Sequence, residues 1–120
     1  MSKKTLVLGA TPNESRYANM AARRLLSHAH EILPVGIRRG EIDGHVIDNE
    51  FKQYEDVDTI TLYLNPTNQQ KYYDYILGLE PKRIIFNPGT ENPELVKLAE
   101  EKGIETLYAC TLVMLATDQY

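Results

Sequence analysis

The sequence is poor in the features that mark secreted, membrane-bound or metal-dependent small proteins. It has one cysteine, Cys110, so no internal disulfide framework can form, which points to a reducing compartment. The apolar run nearest the N-terminus, Leu6-Val7-Leu8, is far shorter than a signal-peptide core or the roughly 20 residues of a membrane span, and the expected location is the cytoplasm. Positive charge is in the minority. With 13 basic against 17 acidic residues the net charge is −4, which argues against broad electrostatic binding to nucleic acid or to an anionic membrane. There is no metal-ligand spacing, P-loop lysine or nucleophile elbow. His28 and His30 flank the end of the first predicted helix, where positive charge suits the dipole, and no spacing joins His45 to Cys110 or to a carboxylate as a catalytic set.

What is present is enough for one core. A chain of 120 residues with 42% hydrophobic content is expected to form one domain over residues 1–120. Short apolar runs alternate with helix-periodic segments. Thr5-Leu6-Val7-Leu8 ends at Gly9, as a strand buried on both faces should. Ala18, Ala21, Ala22, Leu25 and Leu26 recur at helical spacing within 15–27, with Ser15 or Asn13 as the cap. Residues 31–35 form the second strand, with Pro34 at its end. Residues 36–57 are irregular, with a short strand near His45-Val46-Ile47. Residues 59–64 are the clearest strand, and Thr67 with Gln70 matches a capping box for a helix that ends near Gly78. Arg83–Phe86 is another strand, Asn92-Pro93-Glu94 starts a helix that Gly103 stops, Ile104–Ala109 is the last strand, and 111–116 is a short final helix.

This alternation predicts an α/β fold: a Rossmann-like, doubly wound parallel sheet of five to six strands with helices on both faces. Ligands of such sheets lie at the carboxyl ends of the strands, near the point where strand order reverses. That rule selects a few loops. The first, Gly9-Ala10-Thr11-Pro12-Asn13-Glu14-Ser15, leads through Arg16 into the first helix and is either an ordinary turn or a phosphate site at a helix N-terminus. It is not the dinucleotide fingerprint, since Thr11 and Glu14 stand where the second and third glycines belong. After strand two, Gly36-Ile37-Arg38-Arg39-Gly40 puts two arginines where an NAD-binding unit carries an acid. They suit a phosphate on the ribose, as in coenzyme A or NADP, or are two solvated surface side chains. Asn65-Pro66-Thr67 and Asn87-Pro88-Gly89 read either as caps and turns or as the rim of a pocket. Cys110 is either a small core residue or a thiol near a bound cofactor, able to exchange into a mixed disulfide.

Taken in order, several of these pieces resemble one family. Val7-Leu8-Gly9-Ala10-Thr11, Ile32-Leu33-Pro34-Val35, Glu41-Ile42-Asp43-Gly44, Val57-Asp58-Thr59-Ile60, Asn87-Pro88-Gly89, residues 99–104 and Cys110 are similar to the small CoA-binding domain proteins, relatives of the CoA-binding domain of the succinyl-CoA synthetase α-subunit. The resemblance implies a strand order of 3-2-1-4-5-6, with coenzyme A or an acyl-CoA between the first loop, the end of strand two and the loop after strand four. Carried over, that gives Gly9, Ala10, Thr11 and Asn13, then Arg38, then Asn65, Pro66 and Thr67; Pro12, Arg16, Gly36, Arg39, Asn87 and Gly89, in or beside the same strand-end loops, complete the candidate set. Pro34-Val35-Gly36-Ile37 departs from the family's frequent Pro-Val-Asn-Pro, and one proline, Pro66, stands where two are common. The synthetase's phosphorylated histidine belongs to a second domain without counterpart here, so the expectation is binding without catalysis. The alternatives are an NADP-dependent reductase, for which no catalytic motif is present, and a regulatory or interaction domain that has lost its ligand. A homodimer that buries Leu112-Val113-Met114-Leu115 is a further expectation.

Overall fold

β1 (Thr5–Leu8) is apolar along its whole length because it has a covered face on each side. Leu6 and Leu8 point into one apolar layer, while Val7 points into the other. The computed structural model describes residues 2–120. In chain order, β1 is followed by α1 (Tyr17–Ser27), β2 (Ile32–Val35), β3 (Glu41–Ile42), β4 (His45–Val46), β5 (Thr59–Leu62) and α2 (Pro66–Gln69). One 3₁₀ turn then leads into α3 (Tyr73–Gly78), β6 (Arg83–Phe86), α4 (Pro93–Glu101), β7 (Glu105–Tyr108) and α5 (Thr111–Ala116). The main sheet runs β2-β1-β5-β6-β7, all parallel, with Leu6 opposite Leu33 on one side and Ile60 on the other.

This is the Rossmann-like order expected, with its third strand cut down to one residue. Asp48 forms a single parallel bridge with Val35; its N–H donates to the Pro34 carbonyl and its carbonyl accepts from Gly36. Pro34 lies inside β2 rather than at its end. Its missing N–H faces this outer side, so the ladder with β1 loses nothing. The irregular stretch before Asp48 folds into a β3–β4 hairpin across Asp43 and Gly44, both at positive φ (46° and 85°), the geometry a two-residue turn requires.

The crossovers cover both faces. α1 and α5 sit on one side with Val7, Ala18, Ala22, Leu25, Ile42 and Leu115. The other side holds Leu6, Leu8, Ile60, Leu62, Ile76, Phe86 and Leu95. α5 turns Leu115 and Thr111 inward and leaves Val113 exposed. Two helix starts differ from expectation. α1 begins after Arg16, not Ser15 or Asn13, because the Asn13 side chain instead accepts the Ser15 N–H within the preceding turn. α2 is capped by Asn65, which accepts from Asn68, with Pro66 at the first position; Thr67 therefore lies inside the helix and caps nothing. Asn92 caps α4 as expected, by accepting from Glu94 and Leu95. Among the described residues no helix is long and apolar enough to cross a membrane.

At the opposite end of the sheet from the loops of interest, the Tyr120 ring closes the core. It lies over the Arg83 guanidinium at 4.4 Å and against His30 at 5.0 Å, and its hydroxyl meets Thr5 Oγ1 at 2.5 Å. His30 Nδ1 accepts the Lys3 backbone N–H at 2.9 Å, which only the neutral ring can do at that nitrogen. Burial first, then the charges of Lys3, His28 and Arg83, hold this imidazole below its ordinary 6.5. The unfolded chain therefore takes up the proton more readily than the folded one. The contribution is intact above pH 6.5 and is lost as pH falls through the folded value. Urea midpoints measured at about pH 7.5 and about pH 5 should fall more for the wild type than for His30→Gln. Equal falls would assign the acid sensitivity to other groups.

Candidate functional site

The strand order reverses between β1 and β5, and there the carboxyl-end loops part to leave an open cleft of about 1190 Å³. Its floor depends on close backbone approach. Gly9 and Ala10 N–H groups both donate to the Val35 carbonyl, at 2.9 and 3.0 Å, which draws the first loop onto the end of β2. A Cβ on Gly36 would stand 2.6 Å from the Ala10 carbonyl oxygen, and one on Gly9 3.1 Å from the Tyr63 backbone. Pro12 packs onto Gly40 in the same way.

The first loop is braced from behind. The Asn19 side chain, 2% exposed, donates to the Thr11 carbonyl and accepts from Arg23, which also reaches the Glu14 carbonyl. α1 then starts at the cleft with no side-chain cap and no acid in its first turn, and Arg16, Tyr17 and Ala18 all line the opening. A helix of 11 residues with its first N–H groups uncapped favours an anion at that point. The second loop is held by Asn49, whose side-chain amide donates to the carbonyls of Gly36 and Arg38.

Of the residues expected from the sequence, Gly9, Ala10, Thr11, Pro12, Asn13, Arg16, Gly36, Arg38, Arg39, Asn65 and Gly89 line this one cleft. Pro66, Thr67 and Asn87 do not. Pro66 and Thr67 lie in the first turn of α2, outside the lining. Asn87, 2% exposed, lies beneath the floor; it donates to Thr61 Oγ1 and the Leu62 carbonyl and accepts the Thr111 N–H, so it ties β5, β6 and α5 together. Cys110, half-buried at the start of α5, is not among the lining residues. The structure adds Tyr17, Ile37, Tyr63, Asn68, Lys71 and Tyr72, none of which stood out in the sequence.

The charge of the lining is one-sided. Arg16, Arg38, Arg39 and Lys71 are its ionic residues, no carboxylate lines it, and among the described residues none of the four makes an ion pair. Four positive charges in a chain of net −4 leave −8 for the rest, so the cleft is a cationic island on an acidic protein. Burial pushes the Tyr63 hydroxyl up to about 12, and burial raises Tyr72 as well, so both stay neutral and add no negative charge. No group of three His, Cys, Asp or Glu side chains among the described residues could hold a metal.

Residues 3–116 match the family described as a CoA binding domain. The chain is similar to an uncharacterised protein of known crystal structure at 57% identity, with a TM-score of 0.99 over 100% of this chain and 99% of that one. It is also similar to a protein from Thermus thermophilus, at 25% identity and a TM-score of 0.87 over 99% and 91%. A hypothetical protein from Pyrococcus horikoshii shares the fold, with a TM-score of 0.86 over 97% and 82% at 24% identity. No curated protein matches the sequence. With a parallel sheet in this order, a cationic cleft at its switch point and the family match over nearly its whole length, the chain belongs to the CoA-binding domain family.

Proposed function

We propose that residues 1–120 act as one domain that binds coenzyme A, or an acyl-CoA, in the cleft between β1, β2 and β5, with no catalysis of its own. The observation that carries this is the lining charge: four cations and no acid. Coenzyme A brings a diphosphate and a 3′-phosphate, roughly −4 near neutral pH, which matches that count. The parts also fall in a usable order. The uncapped start of α1 suits the diphosphate, and Arg38 and Arg39 at the end of β2 suit the ribose phosphate. That no Asp, Glu, His or Cys is among the described lining residues supports binding without turnover, because these are the side chains that most often carry protons in acid–base catalysis. The net charge of −8 outside the cleft also speaks against nucleic acid or an anionic membrane as the partner.

Thermal unfolding with coenzyme A, dephospho-CoA, NADP, NAD and ATP tests this directly. A ligand at 100 times its dissociation constant stabilises by about 2.7 kcal/mol. Coenzyme A should raise the midpoint most, and NAD least, since NAD carries no ribose phosphate and its nicotinamide cation offsets part of the diphosphate charge, so that it is the least negative of the five. A larger shift with NADP than with coenzyme A would replace this reading with that of a nicotinamide cofactor. Steady conversion of an acyl-CoA by the purified wild type, lost in an Arg16→Glu variant, would overturn the non-catalytic part alone.

A further inference from the structure

We propose that Gln69 is a positioning residue of the cleft: its buried amide fixes the gap between the loops after β5 and β6, where the arm of the ligand beyond the diphosphate must run. The inference rests on the coenzyme A reading above. With the ribose phosphate at the β2 end and the diphosphate at the start of α1, the remainder of the ligand has the β5–β6 side of the cleft open to it. Leu64 and Thr90 form the two walls there.

Gln69 joins those walls. Its Nε2 donates to the Leu64 carbonyl and to the Thr90 carbonyl, each at 2.8 Å, and its Oε1 accepts from Asn92 Nδ2 at 2.9 Å. Both amide hydrogens are used and the residue is 0% exposed, and the bond to Thr90 is itself buried, away from water. Asn92 is fixed in turn, since it donates to the Tyr73 hydroxyl, which donates to Glu94, while its Oδ1 caps α4. α2 buries a single residue, and that residue is this glutamine rather than an apolar one. An apolar side chain would fill the same space but leave the buried Thr90 carbonyl and the part-buried Leu64 carbonyl without this donor. Any change in the gap breaks a buried bond, so the width is set by an amide of fixed length.

Titration of the full chain with coenzyme A and with adenosine 3′-phosphate 5′-diphosphate, which ends where the arm begins, separates positioning from folding. Gln69→Met should weaken coenzyme A by about tenfold or more and change the fragment by less than about threefold. Parallel losses for both ligands would reduce Gln69 to a folding role, and unchanged affinity for both would remove the role altogether. If Gln69→Met does not fold, Asn92→Asp is read by the same ratio. It keeps the acceptor that caps α4 and deletes the donor that holds Gln69, and it should weaken coenzyme A by about threefold or more with the fragment unaffected. An equal effect on both ligands in that variant would overturn the inference. Wild-type protein that binds neither ligand would defeat the coenzyme A reading itself, and this inference with it.

Discussion

Gly36→Ala should lower the unfolding midpoint by about 10 °C, corresponding to about 2–3 kcal/mol, and abolish ligand stabilisation at concentrations that saturate the wild type. The backbone of Gly36 is not the obstacle, because its φ is one that any L-residue adopts. Space is. The added methyl carbon would stand 2.6 Å from the Ala10 carbonyl oxygen and 3.1 Å from the Ala10 nitrogen. Neither atom is free to move: Gly9 and Ala10 donate to Val35, and Gly36 itself donates to Asp48. Relief therefore requires that the first loop lift off β2, the same contact that forms the floor of the cleft. Gly78→Ala is the matched control. Gly78 ends α3 with open space around it, so alanine there should leave stability unchanged or slightly higher. If Gly36→Ala melts like Gly78→Ala, the close approach carries no energetic weight.

Most of the fold was legible because its signals are local. The strands at 5–8, 59–62 and 83–86 are runs of residues buried on both faces, and such runs need no partner to be recognised. Asn92-Pro93 announced α4 by the pairing of a cap with a proline at the first position. The same pairing, Asn65-Pro66, announces α2, yet the Thr67–Gln70 spacing suggests a start two residues later. In the structure Asn65 prevails, because the proline has already fixed the first helical φ. The β3–β4 hairpin also had a local signal in Asp43-Gly44, the dipeptide that tolerates two successive positive φ values.

The cleft was legible only in part, and the division has a physical reason. Loop residues such as Gly9, Arg38 and Gly89 could be placed because the topology of a doubly wound sheet brings strand ends together. Tyr17, Asn68, Lys71 and Tyr72 lie in helical turns, and whether they face the cleft depends on the helix's rotation about its axis, which composition does not reveal. Asn19, Asn49 and Gln69 are harder still. Each serves the site through a hydrogen bond to a backbone carbonyl remote in sequence, and an isolated amide residue carries no local mark of that duty. Asn87 shows the converse: it sits in a loop of the right kind, but its side chain turns inward to Thr61 and Thr111.

Arg38→Glu should weaken coenzyme A by at least about tenfold, corresponding to about 1.4 kcal/mol. Arg38 is exposed at the rim of the cleft, and its own carbonyl and that of Gly36 are pinned by the Asn49 amide, so its guanidinium is presented from a fixed base. A guanidinium pairs bidentately with a phosphate, and a charge-assisted bond contributes about 1.5–3 kcal/mol. Reversal of the charge removes that bond and adds repulsion, though solvent at the rim screens part of both. The distance dependence makes the test specific. Dephospho-CoA has no 3′-phosphate to repel, so Arg38→Glu should cost it much less than it costs coenzyme A, and Arg39→Glu should show the smaller contrast of the two. Comparison of both ligands on both proteins isolates the contact from damage to the fold. Equal losses for the two ligands would mean that Arg38 acts only through the summed field of the four cations. Wild-type protein that holds dephospho-CoA as tightly as coenzyme A would leave the arginines at the end of β2 with no phosphate to recognise, whatever the variants do.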